Sequence, residues 1–258
     1  MNEAWEKHIQ PIINSPGFEH SNWIWDPFLK KYPEFGKKQR IQVEDTLLFY
    51  SFDSSDEDLT IKSLGIAGIL QDSKIASKRF SSKMKDGLRK YARNIHINQP
   101  LLRYYVFAFA SFDVKEAIPS IKSIVQPLKE GAPENPFYLD ERRYQELFRA
   151  CCISLLKLRD NEAKSLFTFF ILNDARMMAV SPDRAMWGFT DLASFWKYIG
   201  VSGFKEIVAV FQTWQKEYVA IILPNLKQKT DHMRYQSDKE KQEVFRLVEG
   251  LEHYIAEA

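Results

Sequence analysis

Apolar residues recur at three- and four-residue spacing from Gln39 to the C-terminus, which is the pattern of amphipathic helices. One such stripe comprises Leu102, Tyr105, Val106, Phe109 and Phe112. Segments rich in Ser, Asp, Asn, Pro and Gly separate the stripes and are typical of caps and turns. The pattern predicts ten helices, near 39–52, 59–70, 74–93, 99–112, 114–130, 140–158, 160–173, 183–199, 203–222 and 238–257. Since each stripe needs a neighbouring helix to cover it, we expect an all-α fold of about five antiparallel helix pairs.

Three segments share an order of apolar helix, aspartate in a tight turn and second helix. The aspartates are Asp72, Asp113 and Asp160, at separations of 41 and 47 residues. Aspartate suits such a turn because its carboxylate can accept hydrogen bonds from the free amides that open the next helix. Periods of about 40–47 residues are typical of two-helix solenoid repeats.

The segment LRYYVFAFASFDVKEAIPSIKSIVQPL resembles a HEAT repeat, with Arg103 and Asp113 in their usual places. Pro119 stands where that family often kinks its first helix. FRACCISLLKLRDNEAKSLF repeats the resemblance through Arg149 and Asp160 but lacks the proline. The best-matching segments are 59–130 and 140–173. The resemblance implies a HEAT-like α-solenoid whose second helices line a concave binding face, and it implies structural pairing of both arginines with turn carboxylates.

We expect a single domain over 1–258, because no shift in composition marks a linker. The expected order is an atypical N-terminal cap at 1–38, repeats over 39–222 and a C-terminal capping helix at 238–257. Prolines make the N-terminal cap irregular. Its aromatic residues are Phe18, Trp23, Trp25, Phe28, Tyr32 and Phe35. They are expected to bury the open end of the solenoid; an exposed binding platform is the alternative.

Charge is nearly balanced overall but is separated along the chain. The 36 Lys and Arg residues against 34 Asp and Glu residues give a net charge of +2, which excludes a uniformly basic nucleic-acid binder. Range 74–93 nevertheless contains eight bases and one acid, whereas range 41–61 contains six acids and no base. The basic helix provides a candidate docking patch, formed by Lys78, Lys83, Arg89 and Lys90. The alternatives are mutual neutralisation by the acidic neighbour or a solvated outer face, and HEAT geometry would place this helix on the convex side.

No strong catalytic motif is present. The chain lacks a Gly-rich phosphate loop, G-x-S-x-G, H-E-x-x-H and C-x-x-C, and its five histidines are scattered, so we expect no cofactor and no metal site. Cys151 lies on an apolar stripe beside Cys152, which favours a packing role for these residues. The alternative is a redox role, since nearby Arg149 would stabilise a thiolate.

With two cysteines and no long apolar stretch at the N-terminus, we expect a soluble, cytoplasmic protein with no membrane partner.

The residues expected on the concave face include aromatic and arginine side chains, the usual anchors of protein interfaces. The candidate binding residues are Arg142, Arg143, Glu146, Trp187, Asp191 and Lys197. We therefore expect a non-enzymatic module that binds another protein. A sharper hypothesis, by analogy of fold, is a bacterial immunity protein that binds and neutralises a toxin.

Two other functions stay open from the sequence. The first is a HEAT-like DNA glycosylase acting on alkylated purines, with Trp187, Asp191 and Tyr104 as catalytic candidates. A groove of that kind should be conspicuously basic, whereas the most basic helix is expected on the other face. The second is a scaffold whose basic helix meets RNA or an acidic protein. The sequence leaves enzymatic activity open, and the missing motifs favour its absence.

Overall fold

A computed structural model describes residues 5–13, 26–95, 101–130, 142–180 and 188–257. These residues form helices and turns and contain no strand, so the predicted all-α class is confirmed for them. The chain divides into two compact units, Met1–Ile124 and Val125–Ala258. The single-domain organisation expected from composition stays a prediction.

Short helical segments open the first unit: a π-helical turn (Trp5–Ile9), α1 (Gln10–Ile13), α2 (Asp26–Lys31) and a 3-10 turn (Tyr32–Glu34). They precede α3 (Lys37–Phe52), α4 (Glu57–Asp72), α5 (Lys78–Ala92), α6 (Leu102–Ser111) and a second 3-10 turn (Lys115–Ala117). The boundary between the units lies inside α7 (Ile118–Glu130). The second unit continues with α8 (Arg142–Lys157), α9 (Ala163–Val180), α10 (Gly188–Ser194), α11 (Trp196–Phe211), α12 (Lys216–Thr230) and α13 (Asp238–Ala256).

In the first unit, helices contact both their immediate and their next-but-one neighbours. α3 packs against α4 and α5, α4 against α6, and α5 against α6. The contacts between α3 and α5 join Glu44 to Ser77 and Asp45 to Arg79, at separations of 33 and 34 residues. Since the residue number rises along both helices at a nearly constant offset, α3 and α5 are parallel neighbours.

In the second unit, next-but-one helices are joined in the same way. α9 packs against α8, α10, α11 and α12, while α13 packs against α11 and α12. Side-chain bonds between alternate helices include Arg149 to Asp191, Lys164 to Ser202 and Trp196 to Glu240, at separations of 42, 38 and 44 residues. Contacts therefore recur at intervals close to those of the aspartate pattern in the sequence.

The turns after α4, α6 and α8 share one backbone geometry. Each contains a residue other than glycine with positive φ: Lys74 at 59°, Asp113 at 50° and Arg159 at 61°. The amide of that residue donates to the carbonyl three residues back, and the next amide donates to the carbonyl five residues back. These two bonds form a Schellman motif, which satisfies carbonyls that the end of a helix would otherwise leave without a donor.

When the three turns are superposed by their backbone conformation, the three aspartates do not fall at the same position. Asp72 lies two residues before the left-handed residue, Asp113 is that residue, and Asp160 lies one residue after it. Asp160 accepts from the amide of Glu162 at 3.0 Å, as expected of a turn carboxylate, whereas Asp72 accepts from Ser111 Oγ at 3.3 Å. The repeated feature is thus a backbone conformation, and the aspartates are not equivalent positions within it.

Two predicted irregularities take a different form in the structure. The break expected at Gly200 is a kink inside α11, where Gly200 has φ of 60° and ψ of −174°. Glycine adopts this conformation without the steric cost of a Cβ atom. Pro119 is the second residue of α7, and a proline in the first turn removes no intrahelical hydrogen bond.

The helix predicted over 203–222 is divided, because α11 ends and α12 begins inside it. No glycine or proline marks this break. Thr213 Oγ1 donates to the Val210 carbonyl at 2.7 Å, and the Trp214 carbonyl accepts from the Tyr254 hydroxyl at 2.7 Å. A hydrogen bond to α13 therefore satisfies a carbonyl at the break, which local sequence could not reveal.

The described aromatic residues of the N-terminal cap are buried. Phe28, Tyr32 and Phe35 all lie inside the first unit, and Trp5 packs edge-on against Tyr50 of α3 with ring centroids 5.1 Å apart. The other cap aromatics, Phe18, Trp23 and Trp25, lie outside the described residues. For the residues that the structure describes, burial favours the packed cap over an exposed platform.

Arg159 offers a test of the shared turn, since its side chain is exposed and its backbone is left-handed. We expect Arg159→Gly to raise the free energy of unfolding by about 0.5–1 kcal/mol, because glycine avoids the cost of positive φ. Urea unfolding followed by circular dichroism measures the change. As a control, Gln242→Gly on the exposed side of α13 should lower stability by about 0.5–1 kcal/mol. Equal losses in both variants would contradict the turn assignment.

Candidate functional site

α5 is strongly amphipathic and begins at a defined cap. Ser77 precedes it with extended backbone, and Ser77 Oγ accepts from the Phe80 amide at 3.1 Å. Phe80, Met84 and Leu88 follow at four-residue spacing and are fully buried, so one side of the helix faces the core. The basic residues occupy the remaining surface. Local sequence thus accounts for both the helix and its exposed positive face.

A buried carboxylate holds the start of α5 against α3. Glu44 is 1% exposed and accepts hydrogen bonds from Tyr32 Oη at 2.8 Å, Ser77 N at 2.9 Å and Ser77 Oγ at 2.7 Å. These donors offset the cost of removing the carboxylate from water. Burial, followed by the hydrogen bond to Glu44, raises the pKa of the Tyr32 hydroxyl, which therefore stays a donor. The cluster fixes the position of the basic helix.

Two arginines of α5, Arg79 and the candidate-patch residue Arg89, are engaged by acidic residues. Arg79 bonds to Asp45 of α3, and Arg89 Nε donates to Glu116 Oε1 at 2.9 Å. Arg89 Nη1 also donates to Asp86 Oδ1 at 3.2 Å. The expected neutralisation by the acidic range 41–61 therefore occurs for Arg79, whereas the partners of Arg89 lie outside that range. Exposed ion pairs of this kind stabilise a protein by only about 0–1 kcal/mol.

The lysines of the patch differ from the arginines. Lys78, Lys83 and Lys90 are exposed, and none of them forms an ion pair with another described residue. Arg93 at the C-cap of α5 is also exposed. These side chains remain available to an anionic partner.

The candidates for a concave face are only partly described. Arg142 and Arg143 open α8, but their side chains and the whole of Trp187 lie outside the described residues. Glu146 is half-buried on α8. Lys197 is exposed on α11, with its ammonium 4.8 Å from the centroid of the Tyr198 ring. A binding role for this set stays a prediction.

Asp191 forms a bidentate ion pair with Arg149. Its carboxylate is 2% exposed and accepts from Arg149 Nε at 2.5 Å and from Nη2 at 2.6 Å. Burial raises the pKa of Asp191, and the guanidinium counteracts part of that shift. Arg149 pairs with a carboxylate, as the HEAT resemblance implied, but Asp191 belongs to a helix and not to a turn. The pair joins α8 to α10 and gives both residues a structural role.

Tyr104, the third catalytic candidate, is half-buried in the first unit. Its hydroxyl accepts from Arg103 Nη2 at 2.5 Å, and the Arg103 guanidinium carbon lies 4.6 Å from the ring centroid. A catalytic role for Tyr104 and Asp191 stays a prediction.

Sequence reasoning missed the buried carboxylates Glu44 and Asp174. Asp174 accepts from Gln145 Nε2 at 2.9 Å and from the Gly188 amide at 2.5 Å, and so links α9 to α8 and α10. The available signal was an acidic residue inside a long apolar run, which calls for specific donors if the residue is buried.

The two cysteines are buried within α8. Cys151 lies in an apolar environment, and Cys152 Sγ is 3.6 Å from the Leu166 carbonyl. Burial raises the pKa of both thiols, which opposes formation of the reactive thiolate.

No protein-family model, curated protein or solved structure matches the chain. Among the described residues, no cluster of His, Cys, Asp or Glu side chains is arranged to hold a metal ion. None of the described helices combines the length and the apolarity needed to cross a membrane. Function therefore has to be inferred from the surfaces and clusters of the chain itself.

Replacing Arg149 tests the ion pair. We expect Arg149→Met to lower the free energy of unfolding by about 3–5 kcal/mol, because it leaves the Asp191 carboxylate buried without its cation. Urea unfolding of the purified variant measures the loss. The double variant Arg149→Met/Asp191→Leu should recover most of it, since the uncompensated charge is then gone. A single variant as stable as the original chain would contradict the structural role.

Thiol labelling tests the packing of the cysteines. We expect Cys151 and Cys152 in the folded chain to resist an aromatic disulfide reagent at pH 8, because burial disfavours the thiolate and blocks access. Both should react once the chain is unfolded in urea, as measured by absorbance. Ser82→Cys, at an exposed position on α5, provides a readily labelled control. Fast labelling of either native cysteine would support the redox alternative instead.

Proposed function

We propose that the chain is a non-enzymatic module that binds another protein, and that its helices form a HEAT-like α-solenoid. Bonds between alternate helices at separations of 42, 38 and 44 residues support the repeat architecture in the second unit. The parallel pairing of α3 with α5 supports it in the first unit. Stacked repeats present extended surfaces and commonly serve as binding scaffolds.

The proposed binding function rests mainly on one observation, the exposed and unpaired lysines of the basic helix α5. Lys83 and Lys90 are exposed and pair with no other described residue, while Glu44 anchors the start of the helix that carries them. A positive surface on a fixed scaffold attracts an anionic partner and sets its orientation. The buried carboxylates of the second unit, Asp174 and Asp191, are in contrast already engaged by donors of neighbouring helices. Both oxygens of Asp191 accept from Arg149 and the residue is 2% exposed, which disfavours contact with a base in a glycosylase reaction.

In its narrower form, the proposal is a bacterial immunity protein that binds and neutralises a toxin. This form adds one requirement to the general proposal. The bound partner must be harmful to the producing cell alone and harmless in the presence of this chain.

Site-specific photo-crosslinking tests the proposal in cells that naturally produce the chain. A photoreactive phenylalanine analogue at position 83 should yield one discrete protein adduct, because that position lies in the exposed basic patch. The same analogue at position 242, on the exposed side of α13, is the matched control and should not yield that adduct. Mass spectrometry identifies the product.

Two outcomes would overturn this proposal. One is the failure of position 83 to capture any protein in cells that contain the chain at its natural level. The other is release of free modified base when the purified chain is incubated with alkylated DNA, which would establish the enzymatic alternative.

A further inference from the structure

Exposed apolar residues line the outer side of α3. Ile41 and Phe49 are 38% and 46% exposed, and they are two of the four large hydrophobic residues that are exposed in the described ranges. Asp45 lies between them, four residues from each, so the three side chains share one face of the helix. Asp45 bonds to Arg79 of α5, which places this apolar face next to the basic helix.

The register between the parallel helices α3 and α5 shows which of their residues lie at the same height along the helix axes. Asp45 meets Arg79 at an offset of 34 residues, and Phe52 lies against Gly87 at an offset of 35. A Cβ atom on Gly87 would be 2.5 Å from Phe52 Cε2, so glycine allows this close approach. The offset places Phe49 level with Lys83. At this offset Ile41 is level with the segment before α5, and Lys90 and Arg93 are level with the turn after α3, so the apolar and basic residues overlap at Phe49 and Lys83. We call the surface that runs from Ile41 through Phe49 and Lys83 to Lys90 and Arg93 the α3–α5 face.

We propose that the α3–α5 face docks an acidic amphipathic helix of a partner protein. The apolar side of that helix would cover Phe49 and Ile41, and its carboxylates would meet Lys83, Lys90 and Arg93. This inference rests on the proposed function and adds the surface and the chemistry of the partner. Since Lys83 and Lys90 pair with no other described residue, incoming carboxylates gain partners without displacing existing ones.

The composition of the face favours protein over RNA. Arg79 and Arg89 already bond to carboxylates, and Asp86 is exposed among the bases of α5. RNA binding relies on free arginines and stacking aromatics, and both of these arginines already have partners within the chain. Apolar side chains beside unpaired charges instead match the core and rim of a protein interface.

The packing of α5 opposes a membrane as the occupant. A helix that lies on a bilayer inserts its apolar side among the lipids. In α5 that side, formed by Phe80, Met84 and Leu88, is buried in the protein. A bilayer at the α3–α5 face would therefore meet the charged side of α5 and two large apolar side chains, Ile41 and Phe49, instead of a continuous apolar helix face.

Fluorescence anisotropy with a synthetic probe tests the inference on the full chain. The probe is a labelled helical peptide with Leu and Phe on one face and Glu on the other; a scrambled isomer of the same composition is the control. We expect saturable binding of the amphipathic peptide and at least about tenfold weaker binding of the isomer, equivalent to 1.4 kcal/mol. Added salt should weaken the complex without abolishing it, because the apolar contacts are not screened.

Variants test the basic residues and the apolar residues of the α3–α5 face independently. Lys83→Glu/Lys90→Glu should weaken binding about tenfold by reversing the charges that meet the peptide, and Phe49→Ser should weaken it by a similar factor by removing the apolar anchor. Lys239→Glu/Arg246→Glu on α13 carries the same change in net charge and should leave the affinity unchanged. Circular dichroism of each variant establishes that it is folded.

Four results would overturn the inference: equal binding of the two peptides, no effect of Phe49→Ser, tighter binding of an oligouridylate, or tighter binding of phosphatidylserine vesicles. These results are distinguishable from failure of the proposed function. If position 83 captures a protein in cells while the peptide does not bind, the chain is an interaction module and the partner chemistry inferred here is wrong.

Discussion

The position of the basic helix depends on one buried carboxylate, Glu44. It lies on α3 and accepts from Tyr32 on one side and from the backbone and hydroxyl of Ser77 on the other. A carboxylate buried without such donors would be strongly destabilising, so the three segments that meet at Glu44 have to keep their relative positions. The parallel register of α3 and α5 follows from this requirement, and so does the proximity of Phe49 to the exposed lysines of α5.

The second unit also contains buried carboxylates, and donors of a different kind satisfy them. Glu44 is held mainly by uncharged donors, whereas Asp191 is held by the guanidinium of Arg149, and Asp174 by an amide side chain and a backbone amide. In each case a carboxylate links separate helices, and its geometry is strict because a displaced donor leaves a buried charge unsatisfied. Apolar packing tolerates small shifts better. The buried polar contacts therefore set the register, while the apolar stripes supply most of the favourable free energy.

Sequence periodicity predicted the bounds of helices such as α5 and α13 because each of them buries one side. α5 was expected at 74–93 and α13 at 238–257, within a few residues of their observed bounds. The break near Trp214 was missed because a partner 40 residues away, Tyr254, satisfies the carbonyl there. The basic patch was visible in the composition, but which of its cations are neutralised depends on Asp45 and Glu116, and so on tertiary structure. Asp191 was expected on a binding face for the same reason: its partner could not be identified from spacing alone.

Ser77 couples the first turn of α5 to the interior of the unit. Its hydroxyl accepts from the Phe80 amide and donates to Glu44, so fraying of this turn would also break a hydrogen bond of a buried carboxylate. Helix ends ordinarily lose order at little cost, but this one does not. A partner bound as proposed would consequently meet backbone positions that are already ordered at the start of α5. The entropy lost on association then falls on the partner and on the lysine side chains, and the rate of encounter depends on diffusion and charge and not on a folding step.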